Sequence, residues 1–202
     1  MLNQIRHRLS RFQPVTLPEN QRKASVLIAL TDHADPRVIL TKRASHLSTH
    51  SGEVAFPGGK HDDTDPDLLY TALREAHEEV GLPPEVVEVI GPLGQVISKH
   101  GLQVTPWVGV IPHDIELYAN PGELDKVFSV PLSFFLEDDR YATDEIRFRG
   151  QDLYVPAWEY EGNIIWGLTA YMLVELLNEG CAADIPMQPR PEHKVRQFKK
   201  GP

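Results

Sequence analysis

The stretch FPGGKHDDTDPDLLYTALREAHEEVGL, residues 56–82, decides the fold of this chain. Two adjacent glycines near its start indicate a turn, and an acidic loop follows them. The rest of the stretch predicts a helix, because Asp65 is a good N-cap residue and Pro66 fits the first helical position. Gly81 fits just past the end of this helix, where a left-handed backbone conformation is common.

The predicted helix has an apolar stripe and an acidic arc beside it. At about 100° per residue, its apolar side chains fall on one face that can pack against a core. Three carboxylates, Glu75, Glu78 and Glu79, fall on the adjacent arc. Like charges at this spacing destabilise an isolated helix, and a hard divalent cation held by carboxylate oxygens would relieve the repulsion. A solvated charged helix face is the simpler alternative. The apolar stripe consists of Leu69, Ala72, Leu73, Ala76 and Val80.

The composition is that of a single acidic domain. The chain has 202 residues, 41% hydrophobic and 24% charged, which is enough for one domain with a substantial core. Its formal net charge of −9 argues against nucleic acid as the main partner, because no surplus of basic residues can displace counterions. The one cysteine, Cys181, excludes an intramolecular disulfide and suits the reducing cytoplasm.

The two ends of the chain are predicted to be peripheral. Apolar residues recur at helical spacing near the N-terminus, with arginines between them, and indicate a short helix docked on the domain. A helix lying on a membrane surface is the alternative. No apolar run approaches the ~20 residues that a membrane span needs, so no membrane partner is expected. From Ile185 onward, proline and charge dominate and indicate a loose tail. The N-terminal apolar residues are Leu2, Ile5, Leu9 and Phe12.

The rest of the chain alternates between β-rich runs and turn residues. Two runs, Ala24–Leu30 and Arg37–Thr41, flank a polar turn and predict a hairpin. Gln103–Ile111 also predicts a strand, and Pro106 within it indicates an edge position or a bend. Near the C-terminus the sequence predicts an antiparallel pair of strands followed by an apolar helix. These are Arg147–Val155, Trp158–Trp166 and Tyr171–Leu177.

The end of the opening stretch resembles the Nudix box, in which a glycine and a spacer precede Arg-Glu-apolar-x-Glu-Glu-x-Gly-apolar. The second half of that motif is complete. The first half departs from the family pattern, because its usual glycine and glutamate would fall on Lys60 and Pro66. The nearest candidates are Gly59 and Asp65, so the spacer is one residue longer and its acid one methylene shorter. The matching residues are Arg74, Glu75, Ala76, Glu78, Glu79, Gly81 and Leu82.

A second motif lies immediately before the box. Residues 41–59 resemble the segment found at this place in the coenzyme A pyrophosphatase branch of the Nudix family. That branch shows Thr-Lys/Arg-Arg, a spaced leucine, His-x-Gly-x-Val and Phe-Pro-Gly-Gly. The chain departs from it at Ala44, where serine is common, and at Ser48, where arginine is common. The matching residues are Thr41, Lys42, Arg43, Leu47, His50, Gly52, Val54 and Phe56–Gly59.

The resemblance implies an α+β fold of the Nudix type, an α/β/α sandwich with a mixed, mostly antiparallel sheet between helices. It runs from about Ala24 to Leu177. We therefore expect an N-terminal helix and connector over residues 1–23, a Nudix hydrolase domain over 24–180 and a C-terminal tail over 181–202.

The resemblance also implies roles for the box residues. Glu75 and Glu79 are the expected main ligands of Mg²⁺ or Mn²⁺, and Glu78 binds the metal directly or through water. Arg74 is expected to orient a glutamate by a charge-assisted hydrogen bond. Zinc is not expected, because the histidines lack paired ligand spacing on a helix and carboxylates prefer a harder metal.

Further candidates for substrate binding lie before the box helix. Lys42 and Arg43 are candidates for phosphate contacts, and His50 belongs to the same substrate-binding segment. The backbone of Gly58 and Gly59 can approach a metal or a substrate closely, because no side chain blocks it.

The expected general base lies after the box. Glu123 follows a turn-forming Asn-Pro-Gly run and precedes an apolar segment that would anchor the loop to the sheet. Nudix enzymes often place an acidic residue before such a segment. Glu116 and Asp125 are the competing acids in this part of the chain, and Glu78 is the alternative within the box.

These residues predict a metal-dependent hydrolase that cleaves the pyrophosphate bond of coenzyme A or acyl-CoA. The products would be 3′,5′-ADP and (acyl-)4′-phosphopantetheine. One alternative is a Nudix hydrolase of another nucleoside diphosphate derivative, such as ADP-ribose or a dinucleotide. Another is a silent Nudix module that only binds a nucleotide or a partner, although such modules would be expected to lose box glutamates. The expected partner is a CoA-like nucleotide, a homodimer is left open, and the expected location is cytoplasmic.

Overall fold

A mixed β-sheet forms the centre of the molecule in the computed structural model, which describes residues 1–20, 22–46, 52–148 and 151–188. Its strands are β1 (Lys23–Thr31), β2 (Arg37–Arg43), β3 (Val54–Ala55), β4 (Gly58–Lys60), β5 (Glu88–Pro92), β6 (Val96–Ile97), β7 (Gln103–Ile111) and β8 (Leu124–Pro131). The helices are α1 (Leu2–Leu9), α2 (Leu68–Val80), α3 (Leu132–Leu136) and α4 (Gly167–Glu175), with a 3₁₀ turn at Pro84–Val86 and a π-helical turn at Leu176–Gly180. A second, three-stranded sheet consists of β9 (Ala142–Phe148), β10 (Gln151–Tyr160) and β11 (Asn163–Ile165).

The pairing of the strands agrees with the predicted sheet. Strands β1 and β7 run parallel along their whole length, from the pair Lys23 and Gln103 to the pair Thr31 and Ile111. The other described pairs of the central sheet are antiparallel. Strands β1 and β2 form the predicted hairpin, and β4 pairs with the first half of β1.

Strand β1 is buried on both faces, because its side chains alternate between two hydrophobic cores. Leu27 and Ala29 belong to a smaller core that also contains the stripe of α2 except Leu69. Ile28 and Leu30 belong to a larger core on the other face, together with residues of α1, α4 and the second sheet. The central sheet therefore lies between helices, which confirms the α/β/α sandwich of the Nudix fold.

Helix α1 packs against the body of the domain through three buried side chains, Leu2, Ile5 and Leu9. An ion pair between Arg6 and Glu88, with 2.7 Å between Nη2 and Oε2, adds a polar contact at its edge. Among the residues that the structure describes, no helix is long and apolar enough to cross a membrane.

The prediction of an edge position at Pro106 is wrong, and the alternative of a bend stays a prediction. Strand β7 is continuous and lies inside the sheet, with β1 on one side and β5 and β6 on the other. Pairing with β6 ends at Val104, and pairing with β5 begins at Trp107. Pro106 falls in that gap, where its missing N–H removes no ladder hydrogen bond to β5 or β6. Its carbonyl still accepts a hydrogen bond from the Leu93 N–H at 2.9 Å.

The predicted pairing of Arg147–Val155 with Trp158–Trp166 is also wrong. Strand β9 ends at Phe148 and pairs with β10, which begins at Gln151. The predicted first strand therefore spans the end of one strand and the start of the next. Side chains alternate with the same period in every strand, so the pattern alone does not show where one strand ends and the next begins.

The start of the predicted tail is held by the domain. Ile185 is buried, and both its N–H and its carbonyl bond to the Asn178 side chain, at 2.9 and 3.1 Å. Residues after 188 lie outside the described part of the chain. The domain boundaries proposed from the sequence stay predictions.

Candidate active site

Helix α2 begins two residues later than predicted. Its N-cap is Asp67, whose Oδ1 accepts a hydrogen bond from the Tyr70 N–H at 2.7 Å. Asp65 is therefore not the cap, and Pro66 lies before the helix. The predicted C-terminal end is correct, because Gly81 adopts a left-handed conformation with φ 69°.

Asp65 instead forms the core of a paired network at the start of the box. Its carboxylate is buried and accepts two hydrogen bonds from Arg74, each 2.9 Å long, from Nε and Nη2. The Thr71 hydroxyl donates a third at 2.8 Å. These contacts, with Arg74 the main cause, hold the pKa of Asp65 well below its usual range. Asp65 thereby links the acidic loop to the box helix. It does so although it is one methylene shorter than the usual glutamate and the spacer is one residue longer.

Arg74 also contacts two of the three box glutamates. Its Nη2 lies 3.0 Å from Oε1 of Glu75, and its Nη1 lies 3.1 Å from Oε2 of Glu78. The guanidinium therefore joins the loop acid to the acidic arc of the helix. Its burial and its several partners argue against a solvent-facing arginine.

Glu79 is the most buried of the box carboxylates, with 4% of its surface exposed. Its Oε2 accepts a hydrogen bond from the Gly58 N–H at 3.0 Å. The pKa of Glu79 is raised to about 7, chiefly by burial and in part by the negative charges of Glu123 and Glu75. The Gly58 hydrogen bond and the positive charge of Arg43 oppose this shift without cancelling it.

The two glycines before the box lie in close contact with other parts of the chain. A Cβ atom on Gly59 would lie 2.4 Å from the carboxyl group of Glu75, and one on Gly58 would lie 2.4 Å from the Ser25 carbonyl oxygen. No larger residue fits at either position without displacing Glu75 or strand β1. Glu75 is half-buried, and burial raises its pKa although Arg74 acts against the shift.

The Glu123 loop is hydrogen-bonded to the end of the box helix. The Asn120 N–H donates to the Glu79 carbonyl at 2.9 Å, and the Glu123 N–H donates to the Asn120 carbonyl at 3.0 Å. The Glu123 carbonyl in turn accepts from the Ala44 N–H at 2.9 Å, just beyond β2. The exposed side chain of Glu123 thus lies close enough to Glu75 and Glu79 for its charge to raise the pKa of both.

Asn120 is a residue whose role the sequence reasoning missed. The sequence indicated a turn there, but the hydrogen bond to α2 joins segments distant in the chain, so no local pattern signals it. Of the acids that compete with Glu123, Asp125 directs its Oδ2 to the Ser45 N–H at 3.1 Å. Glu116 lies exposed in the preceding loop.

The structure separates the two predicted phosphate-binding cations. Lys42 and Arg43 are neighbours in β2, so their side chains leave opposite faces of the sheet. Arg43 lies on the face of the box helix, and its buried Nε has no hydrogen-bond partner among the described residues. Lys42 lies on the other face, between Val54 of β3 and Lys126 of β8. His50 lies outside the described residues.

The acidic side chains fit a hard divalent cation by their chemistry. Among the described residues, no three His, Cys, Asp or Glu side chains are already gathered as a metal site. Glu75 and Glu78 are turned to Arg74, and Glu79 to the Gly58 N–H. The raised pKa of Glu79 reflects buried negative charge with incomplete compensation, which is the environment that a divalent cation would stabilise.

Comparisons with known proteins give consistent matches. Residues 21–146 match the family model described as NUDIX domain. A relative from Enterobacter sp. (strain 638), named "Uncharacterized Nudix hydrolase NudL", is 48% identical over 187 residues, covering 90% of this chain and 94% of the relative. A protein of the same name from Klebsiella pneumoniae is 46% identical over 171 residues, covering 85% and 89% of the two chains.

Two solved structures are similar to part of this chain. A C. elegans Ap4A hydrolase in a binary complex superimposes with a TM-score of 0.48 at 17% identity, covering 57% of this chain and 84% of the other. The NUDIX domain of Shewanella oneidensis NrtR, complexed with ADP ribose, gives a TM-score of 0.47 at 20% identity, covering 65% and 85%.

Proposed function

Because this chain belongs to the Nudix family and is a hydrolase acting on phosphoric anhydrides, we propose that its substrate is coenzyme A or an acyl-CoA. Hydrolysis of the pyrophosphate bond gives 3′,5′-ADP and (acyl-)4′-phosphopantetheine. Water supplies the oxygen that ends on one phosphate, and the bridging oxygen leaves with the other.

The observation that supports this proposal most is the contact between the two sequence motifs. The segment that resembles the coenzyme A branch ends in Gly58 and Gly59, which touch the carboxylates of Glu79 and Glu75. Its Arg43 acts electrostatically on Glu79. The branch motif and the box therefore form one site, and residues that select a substrate lie beside residues that act on the anhydride.

For the metal, we assign Glu75 and Glu79 as the main ligands, with Glu78 bound directly or through water. Nudix hydrolases generally use divalent metal ions such as Mg²⁺ or Mn²⁺. When bound, such an ion neutralises charge on phosphate oxygens and lowers the pKa of water. Arg74 orients Glu75 and Glu78. Two hydrogen bonds to Asp65 hold the guanidinium in place, so Glu78 could leave Arg74 and bind the metal.

For proton transfer, we assign Glu123 as the general base. Box carboxylates that bind a metal are poor bases, and Glu123 presents an exposed carboxylate on a loop fixed to the box helix through Asn120. The attachment to Ala44 also fixes that loop to the end of β2, beside Arg43. Asp125 is less suited, because its carboxylate already accepts the Ser45 N–H.

For substrate binding, we assign Arg43 to the pyrophosphate. A buried guanidinium nitrogen without a partner is costly, and a phosphate oxygen would satisfy it with a charge-assisted hydrogen bond. Arg43→Ala should raise KM for coenzyme A with little change in kcat, because a phosphate clamp acts mainly in binding. Arg22→Ala, which changes an exposed arginine before β1, is the matched control. An unchanged KM in the Arg43 variant would remove this residue from the site.

The test of the substrate is a panel assayed with Mg²⁺ and with Mn²⁺, with the products identified by mass. The panel contains coenzyme A, acetyl-CoA, ADP-ribose, a dinucleoside polyphosphate and nucleoside triphosphates. We expect kcat/KM for coenzyme A or acetyl-CoA to exceed that for every other compound, with 3′,5′-ADP as a product. A higher kcat/KM for ADP-ribose or a dinucleotide would replace coenzyme A as the assigned substrate. The assignment as a Nudix hydrolase would stand. Binding without turnover of any compound would indicate a silent module.

A further inference from the structure

Two lysines lie directly opposite each other on neighbouring strands. Lys42 of β2 pairs in register with Lys126 of β8, and both side chains are half-buried. They lie on the face of the sheet away from the box helix, because Phe128, two residues after Lys126, belongs to the larger core on that face. The ammonium of Lys126 lies 4.8 Å from the centre of the Phe128 ring.

This pair carries two positive charges that the described part of the chain does not neutralise. Within residues 1–20, 22–46, 52–148 and 151–188, neither Lys42 nor Lys126 forms an ion pair. Lysines elsewhere do: Lys23 pairs with Glu19 at 2.9 Å, and Lys99 with Glu53 at 3.2 Å. Like charges directly opposite in a sheet are destabilising. An uncompensated pair is notable in a chain with 29 acidic and 20 basic residues, where acidic partners are abundant.

We infer that Lys42 and Lys126 form a second phosphate subsite, which binds the 3′-phosphate of coenzyme A. This inference rests on the proposed function and extends it. A phosphate monoester carries up to two negative charges and three acceptor oxygens, so it can bridge two ammonium groups and remove their repulsion. The cation–π contact with Phe128 restrains Lys126 before binding, which lowers the entropic cost of ordering it.

The location of the pair relative to Arg43 fits the layout of the substrate. Lys42 is the residue before Arg43, and the two side chains leave opposite faces of β2 at the end of that strand. In coenzyme A, the 3′-phosphate and the pyrophosphate are attached to the same ribose, at its 3′ and 5′ oxygens. A nucleotide that lies around the end of β2 would present one phosphate group to each face.

The subsite also supplies a chemical basis for selecting among Nudix substrates. ADP-ribose and ordinary dinucleotides have the pyrophosphate but no 3′-phosphate. Arg43 and the box residues would contact the pyrophosphate, which all of these compounds share, and so would not discriminate among them. The lysine pair would favour the compound that carries the additional dianion.

The test compares coenzyme A with 3′-dephospho-CoA, which differs only in that phosphate. Wild-type enzyme should show at least about tenfold higher kcat/KM for coenzyme A, as expected from charge-assisted hydrogen bonds to a phosphate. Lys126→Gln should remove most of this preference by lowering kcat/KM for coenzyme A, with the value for dephospho-CoA within twofold of wild type. Lys126→Arg should keep the preference. Lys23→Gln, a half-buried lysine of β1 that has its own counterion, is the matched control and should change neither value.

A binding measurement separates recognition from turnover. By titration calorimetry, 3′,5′-ADP should bind wild type at least about tenfold more tightly than 5′-ADP, and Lys126→Gln should abolish this difference. The melting temperature of Lys126→Gln should equal or exceed that of wild type, because the substitution removes a like-charge contact.

The outcomes distinguish this inference from the proposal on which it rests. The subsite is overturned if wild type has equal kcat/KM for coenzyme A and dephospho-CoA. It is also overturned if Lys126→Gln lowers both values equally. In either case the proposed hydrolysis of coenzyme A still stands. If wild type hydrolyses neither coenzyme while cleaving another panel compound, the proposed function fails and the subsite fails with it.

Discussion

The two ends of the box helix treat a buried acid in opposite ways. Near the start, Asp65 is almost fully enclosed but has two hydrogen bonds from Arg74 and one from Thr71, and its pKa is lowered. Near the end, Glu79 is also enclosed but has one backbone hydrogen bond and other carboxylates nearby, and its pKa is raised. Both side chains expose little surface, but the arginine contact determines the shift at Asp65 and burial determines it at Glu79.

This difference separates an acid that stabilises the fold from one to which we assign a role in the chemistry. A buried carboxylate with a bidentate arginine is satisfied and has little reason to bind another cation. A buried carboxylate without such a partner favours a cation from outside the chain, or a proton. With the proposed roles, the box helix has a structural end and a reactive end, and Arg74 contacts the acids of both.

The largest effect is expected at the reactive end from Glu123→Gln. If Glu123 is the base, kcat should fall by roughly 10²–10⁴-fold, the usual range for general base catalysis, while metal affinity stays near wild type. The acidic limb of the pH–rate profile should weaken or vanish. Glu116→Gln, in the preceding loop, is the control and should remain close to wild type. A Glu123 variant that keeps the acidic limb and loses less than about threefold in kcat, below that range, would return the role to Glu78.

Glu79→Gln tests the reactive end at its buried carboxylate. We expect the fold to be retained, because the amide oxygen can still accept the Gly58 N–H. Turnover should fall by about 10²–10³-fold, as for loss of a key electrostatic group at a reacting centre. Steady-state kinetics over a Mg²⁺ titration, with circular dichroism to check the fold, measure both results. Near-wild-type turnover with unchanged metal dependence would remove Glu79 from the metal site.

Asp65→Asn tests the structural end, where stability should change more than chemistry. Leaving Arg74 without its main partner should cost about 2–3 kcal/mol in the free energy of unfolding, and turnover should fall about tenfold through misplaced glutamates. Because the pKa of Asp65 is lowered by folding, its stabilisation is present above the ordinary aspartate pKa and lost as the pH falls below it. Urea unfolding should therefore show the largest difference from wild type at neutral pH and a smaller one in acid.

The control for this prediction is Asp62→Asn in the same loop. Asp62 is exposed, and among the described residues its side chain accepts hydrogen bonds only from Thr64. Its N–H donates to the Asp65 carboxylate, and because the substitution keeps this backbone contact, the effect on stability should be much smaller. Equal stability losses for the two variants would contradict the distinction between them.

The smallest effect is expected from Glu175→Gln, far from the box in the sequence. Glu175 accepts the Gly94 N–H at 3.0 Å, and burial raises its pKa, as it does for Glu79. Because folding raises the pKa of Glu175, its carboxyl group stabilises the fold fully below the ordinary glutamate pKa. This stabilisation is lost as the pH rises through the pKa of Glu175 in the folded state. The melting temperature of the variant should thus slightly exceed that of wild type at pH 8 and match it near pH 4. Turnover should not change. A loss of activity would show that Glu175 is coupled to the site.

The box itself could be read from the sequence because its signals are local. Helical periodicity identifies the apolar stripe and the acidic arc of α2, and Gly81 marks its end through a backbone conformation that glycine favours. The requirement for Gly58 and Gly59 was also visible as a motif. Its cause, close contact with strand β1 and with Glu75, needed the folded structure.

The helix start was predicted wrongly because two aspartates compete for one cap. Both Asp65 and Asp67 suit the position by type, and Pro66 favours the earlier start. The pairing of Asp65 with Arg74, nine residues later, takes the first aspartate out of the competition, and Asp67 caps the helix. That pairing depends on how the loop folds back, which local propensity does not describe.

By itself, the sequence determined the fold type, the box helix, the acidic arc and the hairpin before it, because each depends on periodicity or turn residues within a short segment. The tertiary structure decided which distant residues share a site. It placed Arg43 on the carboxylate face and Lys42 on the other, set Lys126 opposite Lys42, and fixed Glu123 to α2 through Asn120. These relations arise from strand register and loop closure between segments far apart in the chain, and no local pattern encodes them.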